Sequence, residues 1–336
     1  MPPDADHIQL AHGNGGRRMR ELIRDIFARH LANPLLDTGR DAVALPPIDG
    51  VPVMTTDGFT VKPLAFPGGD IGSLAVHGTL NDLAVGGAIP LYISLNAFIE
   101  EGLPVETLDR LIASLGKTAR EAGVPVVCGD TKVVPRGEGA GLYLATTGIG
   151  VRDAALDLDM AYIRPGDRIL VSGPVGDHGT AVLLARKEFG LRGDLISDAA
   201  SVLPLVRALR EIEGIRFLRD PTRGGLAAVM HEIGHATGFG AYLEQDAIPI
   251  RAAVASVCGI LGYDPLHLAC EGRVVAVVAP DAAPATLSAW RALPQGEAAA
   301  MIGDIVAGPA QVVLRTPLGG ERFVEELEDD PLPRIC

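Results

Sequence analysis

The chain has 336 residues, 48% of them hydrophobic and 4% aromatic, with 41 glycines and a formal net charge of −13. That length supports two domains with separate cores, and the mix fits an α/β enzyme while excluding a disordered or fibrous chain. The acidic balance argues against broad binding to nucleic acid or anionic membranes, so a phosphate site must rely on backbone amides, metal ions and a few local cations.

Residues 1–10 are acidic and lack the basic-then-apolar pattern of a signal peptide. The four cysteines, Cys128, Cys258, Cys270 and Cys336, form no C-x-x-C pair, which favours free thiols in a reducing compartment. The most apolar long stretch, 71–99, is interrupted by His77, Asn81, Asp82 and several glycines, which rules out a membrane span there. A cytoplasmic protein is expected.

His12-Gly13-Asn14-Gly15-Gly16 feeds an amphipathic helix in which Met19, Leu22, Ile23, Ile26, Phe27 and Leu31 recur at helical spacing until Asn33-Pro34 stops it. Such a turn can present amide N–H groups to an anion, or serve only as a turn. His12 by itself reads as a packed or solvated histidine. Residues 41–45 and 51–58 are predicted strands. Asp57 stands where the second strand gives way to Gly58, a favoured place for a functional carboxylate. Pro67-Gly68-Gly69-Asp70 predicts a turn, and a small-residue helix then runs from Ile71 into Asn81-Asp82-Leu83. Asp82, set among apolar residues, needs a partner or a metal, because burying it alone is costly.

Leu108, Leu111, Ile112 and Leu115 mark a further helix closed by Gly123. Its Gly116-Lys117-Thr118 imitates the end of a phosphate-binding loop, but that motif needs Gly where Leu111 stands. A strand over 124–127 is predicted to deliver Cys128-Gly129-Asp130-Thr131-Lys132 at its end. Acid, hydroxyl and amine in succession are hard to explain as core packing. A strand over 142–148 closes the first half, and Arg164-Pro165-Gly166-Asp167 turns into a strand over 168–172 that reads as a new domain. Residues 173–179 form another Gly-rich turn, with helices expected at about 179–189 and 199–212 and a strand at 215–218. That strand ends in Arg219-Asp220-Pro221-Thr222-Arg223-Gly224-Gly225, which reads as anion recognition.

The next helix contains His231-Glu232-Ile233-Gly234-His235, a literal H-E-x-x-H. Leu226, Val229, Met230 and Ile233 share one face, leaving both histidines on the other with geometry that permits zinc. Catalytic zinc needs three protein ligands, however, and the third metzincin position is Ala241, so a solvated helix face is the preferred reading. Glu271, before Gly272 and a strand over 274–279, is a site candidate, while Cys258 and Cys270 read as packing thiols. Val312, Leu314 and Gly319-Gly320 predict a last hairpin. An acidic run then leads through Pro331 and Pro333 to the terminal Cys336. The prolines favour an extended, semi-rigid arm that could carry a thiol; a frayed terminus is the competing reading. A prenylation signal is not expected, because the C-a-a-X box needs three residues after its Cys.

Taken together, HGNGG at 12–16, TDGFTVKPLAFPGGDIG at 56–72, GTLNDLAVGGAIP at 78–90, GDTKVV at 129–134, RDPTRGGLA at 219–227, EG at 271–272 and PRIC at 333–336 span nearly the whole chain. With these segments the sequence resembles the HypE family of hydrogenase maturation proteins, within the PurM-like group of ATP-using enzymes. The PRIC ending is specific, because other PurM-like enzymes lack a terminal reactive Cys. Asp41-Ala42-Val43 departs slightly from the D-A-A-V usual in the family, and the His231/His235 pair is not a family feature.

The resemblance implies a PurM-like two-domain α/β (α+β) fold, with mixed sheets covered by helices and N-terminal halves that close an intersubunit β-barrel in a homodimer. Residues 1–155 would bind ATP and dimerise, 156–310 would form the C-terminal domain, and 311–336 would supply a hairpin and tail. A HypF-like carbamoyltransferase would load Cys336. ATP-dependent dehydration would give a protein-bound thiocyanate, and a HypC–HypD complex would accept the cyanide for the iron of [NiFe]-hydrogenase. ATP and Mg²⁺ are the implied cofactors. Asp57, Asp82, Asp130 and Asp220 would serve the metal. Gly13, Gly15 and Gly16, with Asp41, Asn81, Thr131, Arg219, Thr222 and Arg223, would serve the nucleotide. Lys132 would hold the γ-phosphate or the developing charge, Glu271 is the first choice for base and His12 the second, and Cys336 carries the substrate. A small-molecule kinase of the same superfamily, a zinc protease and an ATP-sensing scaffold are the rival readings.

Overall fold

The computed structural model describes residues 6–328, so the predicted carrier Cys336 lies outside the described residues. The described chain divides into two compact units. One consists of the chain up to Leu83 with Ala88–Arg152, the other of Ala84–Gly87 with the chain from Asp153 onward.

The first unit carries strands β1 (Pro52–Phe59), β2 (Ala65–Phe66), β3 (Gly69–Asp70), β4 (Ala88–Glu100), β5 (Val126–Val134) and β6 (Leu142–Arg152). The main sheet runs β1-β6-β4-β5, and β2 and β3 form a separate two-stranded pair. β4 and β5 are parallel, and the helix Val105–Ala122 makes the crossover that parallel neighbours require. Leu108, Leu111, Ile112 and Leu115 of that helix are all buried, and it ends at Gly123, whose φ of 73° closes a left-handed C-cap. Beside it lies the helix Ile71–Val85. A Cβ on Gly72 would come within 2.2 Å of the Leu111 carbonyl oxygen, so glycine is what lets the two helices touch. Alternation in β4 assigns the faces: Ile93, Leu95, Ala97 and Ile99 are buried, whereas Asn96 and Phe98 are exposed. The sheet therefore has one buried face and one open face.

The second unit holds β7 (Arg168–Val171), β8 (Ile215–Arg219), β9 (Gly240–Glu244), β10 (Val275–Val278), β11 (Ala300–Val306), β12 (Val312–Arg315) and β13 (Glu321–Phe323). They form one mixed sheet in the order β13-β12-β9-β11-β7-β10-β8. β10 is buried along its whole length, as its unbroken apolar run requires. Helices Asp177–Arg186, Gly225–Thr237, Ala252–Leu261 and Ala283–Arg291 belong to this unit. Trp290 is fully buried, and its indole N–H donates to the Leu205 carbonyl at 3.1 Å.

Several predicted elements differ. Residues 41–45 are irregular and largely exposed rather than a strand; Pro46-Pro47 follow at once and remove two ladder donors. The strand expected at 124–127 starts at Val126 and continues to Val134, so Asp130, Thr131 and Lys132 sit within β5 rather than beyond its end. The helix expected over 199–212 is confined to Leu203–Arg207. Among the described residues no helix is long and apolar enough to cross a membrane.

Candidate functional site

β5 is an edge strand, and its alternation splits the acid–hydroxyl–amine run between two faces. Thr131 is buried, whereas Asp130 and Lys132 are exposed on the open side. The Asp130 carboxylate accepts the Thr131 N–H at 2.8 Å and lies 3.8 Å from the Lys132 ammonium. At this strand the fold gathers residues far apart in sequence. The turn Leu10–Gly13 packs on β5 so closely that a Cβ on Gly13 would lie 3.0 Å from the Val133 Cβ. Gly15 adopts φ 73° and Gly16 caps the helix Arg17–Leu22, which continues through a π-helical turn, Ile23–Ala28, of the kind enriched at functional sites. Asp41 joins the group by lining, with Asp37, Cys128, Asp130 and Thr131, a cavity of about 140 Å³. The Thr131 hydroxyl is buried there without a hydrogen-bond partner, a group that a bound polar ligand would satisfy. Pockets for whole organic ligands usually measure about 300–1,000 Å³, so this cavity has room for a small polar group or one part of a larger ligand.

A second group lies on the buried face at the other edge of the same sheet. Asp57 of β1 is opposite Thr146, and its carboxylate points at the helix Ile71–Val85 near Gly78. One turn further along that helix, Asp82 accepts a hydrogen bond from the Thr55 hydroxyl at 3.0 Å, and Asn81 is buried beside it. Asp57 and Asp82 thus share one strand–helix seam. Asp57 and Asp130 stand on edge strands three spacings apart, roughly 14 Å at the usual strand separation. Among the described residues no three His, Cys, Asp or Glu side chains form a ready metal cage.

In the second unit, the loops after β8 and before β10 are built as one piece. The Cys270 N–H donates to the Pro221 carbonyl at 2.9 Å, and the Thr222 N–H donates to the Asp220 carbonyl at 3.0 Å. Gly225, at φ 59°, leaves no room for a side chain against the carbonyls of Leu266 and Leu268, both 2.6 Å from its would-be Cβ. Asp220 and Glu271 are buried and Arg223 is exposed. Arg219 is committed to Glu232, whose carboxylate accepts its Nε–H at 3.0 Å.

Behind Glu271 lies a charge cluster that sequence reasoning missed. The buried Asp198 carboxylate accepts the N–H groups of Glu271 and Gly272, both at 3.3 Å, and pairs with Arg273 at 3.4 Å. Arg273 also reaches Asp177 at 3.7 Å, and Asp177 pairs with Arg251 at 2.8 Å. Burial raises the Asp198 carboxyl to about 6 even though Arg273 pulls it down. The only sequence cue was an Asp in an apolar neighbourhood, 73 residues before the loop it holds.

Three further candidates resolve differently. The His12 Nδ1 lies 3.0 Å from the Gln9 nitrogen and 3.2 Å from the Gln9 carbonyl oxygen, so that ring nitrogen is engaged within its own turn. Cys128, Cys258 and Cys270 all have thiols pushed up by burial, Cys258 to about 11 and Cys270 well above the usual value. In the H-E-x-x-H helix, the His231 Nε2 meets the Val324 carbonyl at 3.0 Å and the His235 Nε2 meets the Glu326 carboxylate at 2.9 Å. Among the described residues, neither histidine belongs to a group of three possible metal ligands.

Comparison with known proteins follows the same two-part division. Residues 39–152 match the AIR synthase related protein N-terminal domain, and residues 164–315 match its C-terminal domain. The carbamoyl dehydratase HypE of Rhizobium leguminosarum bv. viciae is 48% identical over 332 residues, covering 98% of this chain and 95% of the relative. Among solved structures, hydrogenase maturation protein HypE in complex with ATP superposes with a TM-score of 0.92 at 45% identity, covering 97% of this chain and 99% of that one. A chain of a HypE–HypF complex superposes with a TM-score of 0.80 at 41% identity, covering 91% and 99%.

Proposed function

The chain belongs to the AIR synthase related family and, within it, to the HypE carbamoyl dehydratases, and on that premise we propose that it dehydrates an S-carbamoyl group on its own Cys336, using ATP, to a protein-bound thiocyanate. The observation that carries the residue assignment is the state of the other thiols. Burial raises all three cysteines among the described residues above the reactive range, which leaves Cys336 as the nucleophile suited to receive the carbamoyl group.

The chemistry sets what the residues must do. An amide oxygen is a poor leaving group, so the γ-phosphoryl of ATP is transferred to it. Loss of the amide protons and departure of inorganic phosphate then leave S–C≡N, with ADP as the other product. The amides of Gly13, Gly15 and Gly16 suit the triphosphate, and Lys132 suits the charge that develops on the transferred group. In the first unit Asp41, Asn81 and Thr131 would serve the nucleotide; in the second, Thr222 and Arg223 would serve an anion, and Arg219 would do so only on leaving Glu232. Mg²⁺ would neutralise triphosphate charge when bound; Asp57 and Asp82, which share one strand–helix seam, are the carboxylates that would hold it together, whereas Asp130, on the other edge of the sheet, and Asp220, in the second unit, would each serve as a separate carboxylate contact to the metal-bound nucleotide. Glu271, braced by Asp198 behind its backbone, takes the amide proton.

Partners follow from the reaction. A HypF-like carbamoyltransferase loads the thiol, and a HypC–HypD complex in the cytoplasm accepts the cyanide for the iron of [NiFe]-hydrogenase. A homodimer is the third partner: the open face of the first sheet exposes Met54 at 71% and Phe98 at 40%, apolar area suited to a second copy closing a barrel. The first unit then serves ATP binding and dimerisation, the second completes the catalytic set, and the segment after the hairpin carries the thiol.

The test uses Cys336→Ser with an active HypF-like partner. Carbamoylation and the ATP turnover coupled to it are expected to vanish together. Undiminished ATP turnover on a free small substrate would instead identify a kinase of the same fold.

A further inference from the structure

The tail root, Val324 to Glu326, is held by three histidines on successive residues. The Val324 carbonyl faces the His231 Nε2 at 3.0 Å, the Glu325 carbonyl faces the His267 Nε2 at 3.1 Å, and the Glu326 carboxylate faces the His235 Nε2 at 2.9 Å. Carbonyl oxygens only accept, so Nε2 of His231 and His267 must carry the proton. Val324 is itself buried, and its N–H donates to the Val312 carbonyl at 2.9 Å. Just before the root, Arg322 pairs with Asp264 at 2.6 Å, on the turn that presents His267.

The two elements that supply these histidines also carry the candidate site. Helix Gly225–Thr237 opens directly from the Asp220-Pro221-Thr222-Arg223 loop, and its Glu232 grips Arg219. The turn Pro265–His267 lies four residues before Glu271 and is locked against Gly225 by the close approach described above. Ten residues, 327–336, follow the root in sequence, a length that spans at most about 35 Å when fully extended.

We propose that His231, His235 and His267 are positioning residues that pin the root of the C-terminal arm to the scaffold of the candidate site, so that the substrate-carrying thiol is delivered from a fixed pivot. The role rests on the reading of Cys336 as carrier. It also gives the H-E-x-x-H pair a purpose that needs no metal: the two histidines hold the chain's own tail. Releasing the root raises the number of residues between the last anchor and the chain's Cys336 end from ten to thirteen, 324–336. By the −3/2 power of arm length, that alone lowers the effective concentration of the thiol about 1.5-fold, and loss of the fixed starting direction adds to it. Two neutral hydrogen bonds, at about 1 kcal/mol each, together hold the root closed by roughly thirtyfold.

The test compares the full-length wild type with the triple variants His231→Leu/His235→Leu/His267→Leu and His231→Gln/His235→Gln/His267→Gln, since a Gln amide retains a donor. Hydrogen exchange at the Val324 amide is expected to quicken about thirtyfold in the triple Leu variant and to return in the triple Gln variant. Single-turnover dehydration of the attached tail is expected to slow at least about 1.5-fold in the triple Leu variant, with KM for ATP unchanged. A synthetic S-carbamoyl peptide of the last ten residues, supplied to Cys336→Ala bodies with and without the triple Leu substitution, is expected to react equally fast. Unchanged exchange would overturn the clamp. Faster exchange with an unchanged attached-tail rate, or peptide turnover falling in step, would overturn the positioning role. Should the wild type fail to dehydrate its tail at all, the carrier reading falls, and the exchange result still decides the clamp.

Discussion

Gly272→Ala is the sharpest single perturbation of the candidate site. The added Cβ would lie 1.9 Å from the Asp198 carbonyl oxygen and 3.1 Å from the Ala200 nitrogen, both backbone atoms. Ordinary contact begins near 3.4 Å, so the loop must withdraw by about 1.5 Å. The Glu271 and Gly272 N–H groups, both at 3.3 Å from the Asp198 carboxylate, then leave hydrogen-bonding range. Overpacking of this kind costs about 1–3 kcal/mol, well within the stability of a domain, so the variant still folds. A displacement of about 1 Å at a reacting group costs about 100-fold in rate. Single-turnover dehydration of the carbamoylated tail is therefore expected to fall about 100-fold, with KM for ATP little changed. Gly259→Ala is the control: it sits on an exposed helical position where a Cβ meets nothing. If Gly272→Ala retained a rate within threefold of wild type, the placement of Glu271 at the chemistry would be wrong.

Other outcomes follow from the same geometry. Lys132→Ala removes an exposed ammonium with one loose ion pair at 3.8 Å, so stability should change by less than about 0.5 kcal/mol. Dehydration, in contrast, should drop about 100-fold or more, because the charge on the transferred group loses its counter-charge. His178 is buried against the Ser197 hydroxyl and its pKa is lowered by burial to about 3, and His77 is lowered likewise to about 4. A base depressed in the folded state contributes stability that is present above pH 6.5 and lost as pH falls toward those values, roughly 5 and 3 kcal/mol at most. Asp198, raised to about 6, and Asp167 and Asp177, also raised by burial, act in the opposite sense. The expectation specific to His178 is a contribution to acid destabilisation below pH 6.5 that His178→Gln removes, making the pH dependence shallower in denaturant titrations; an unchanged slope would refute it. Elemental analysis should find no stoichiometric zinc, and a zinc chelator should leave the melting temperature unmoved.

What the sequence made legible follows physical range. Short-range signals served well: the 3.6-residue spacing of Leu108, Leu111, Ile112 and Leu115, the Gly123 stop and the Gly319-Gly320 hairpin all appear as expected. β4 was missed although Ile93, Leu95, Ala97 and Ile99 alternate correctly, because the small-residue helix before it merges with it into one apolar stretch. Residues 41–45 have a strand-like composition but lack a sheet neighbour, which no local pattern encodes. At the candidate site, residue types on strand and loop ends could be singled out, but their grouping could not. Nothing local ties Gly13 to Val133, Asp198 to the N–H of Glu271, or His231 to the carbonyl of Val324, 93 residues away. The H-E-x-x-H motif shows the same limit, since only the fold reveals that the partner of its histidines is the tail root.

The most direct measurement is the mass of the C-terminal peptide after carbamoylation by a HypF-like partner, before and after Mg-ATP is added. Loss of one water from the Cys336 adduct, absent with a non-hydrolysable nucleotide, is the expected result. A carbamoyl adduct that forms and never loses water would contradict the dehydratase reading and leave a carrier or scaffold in its place.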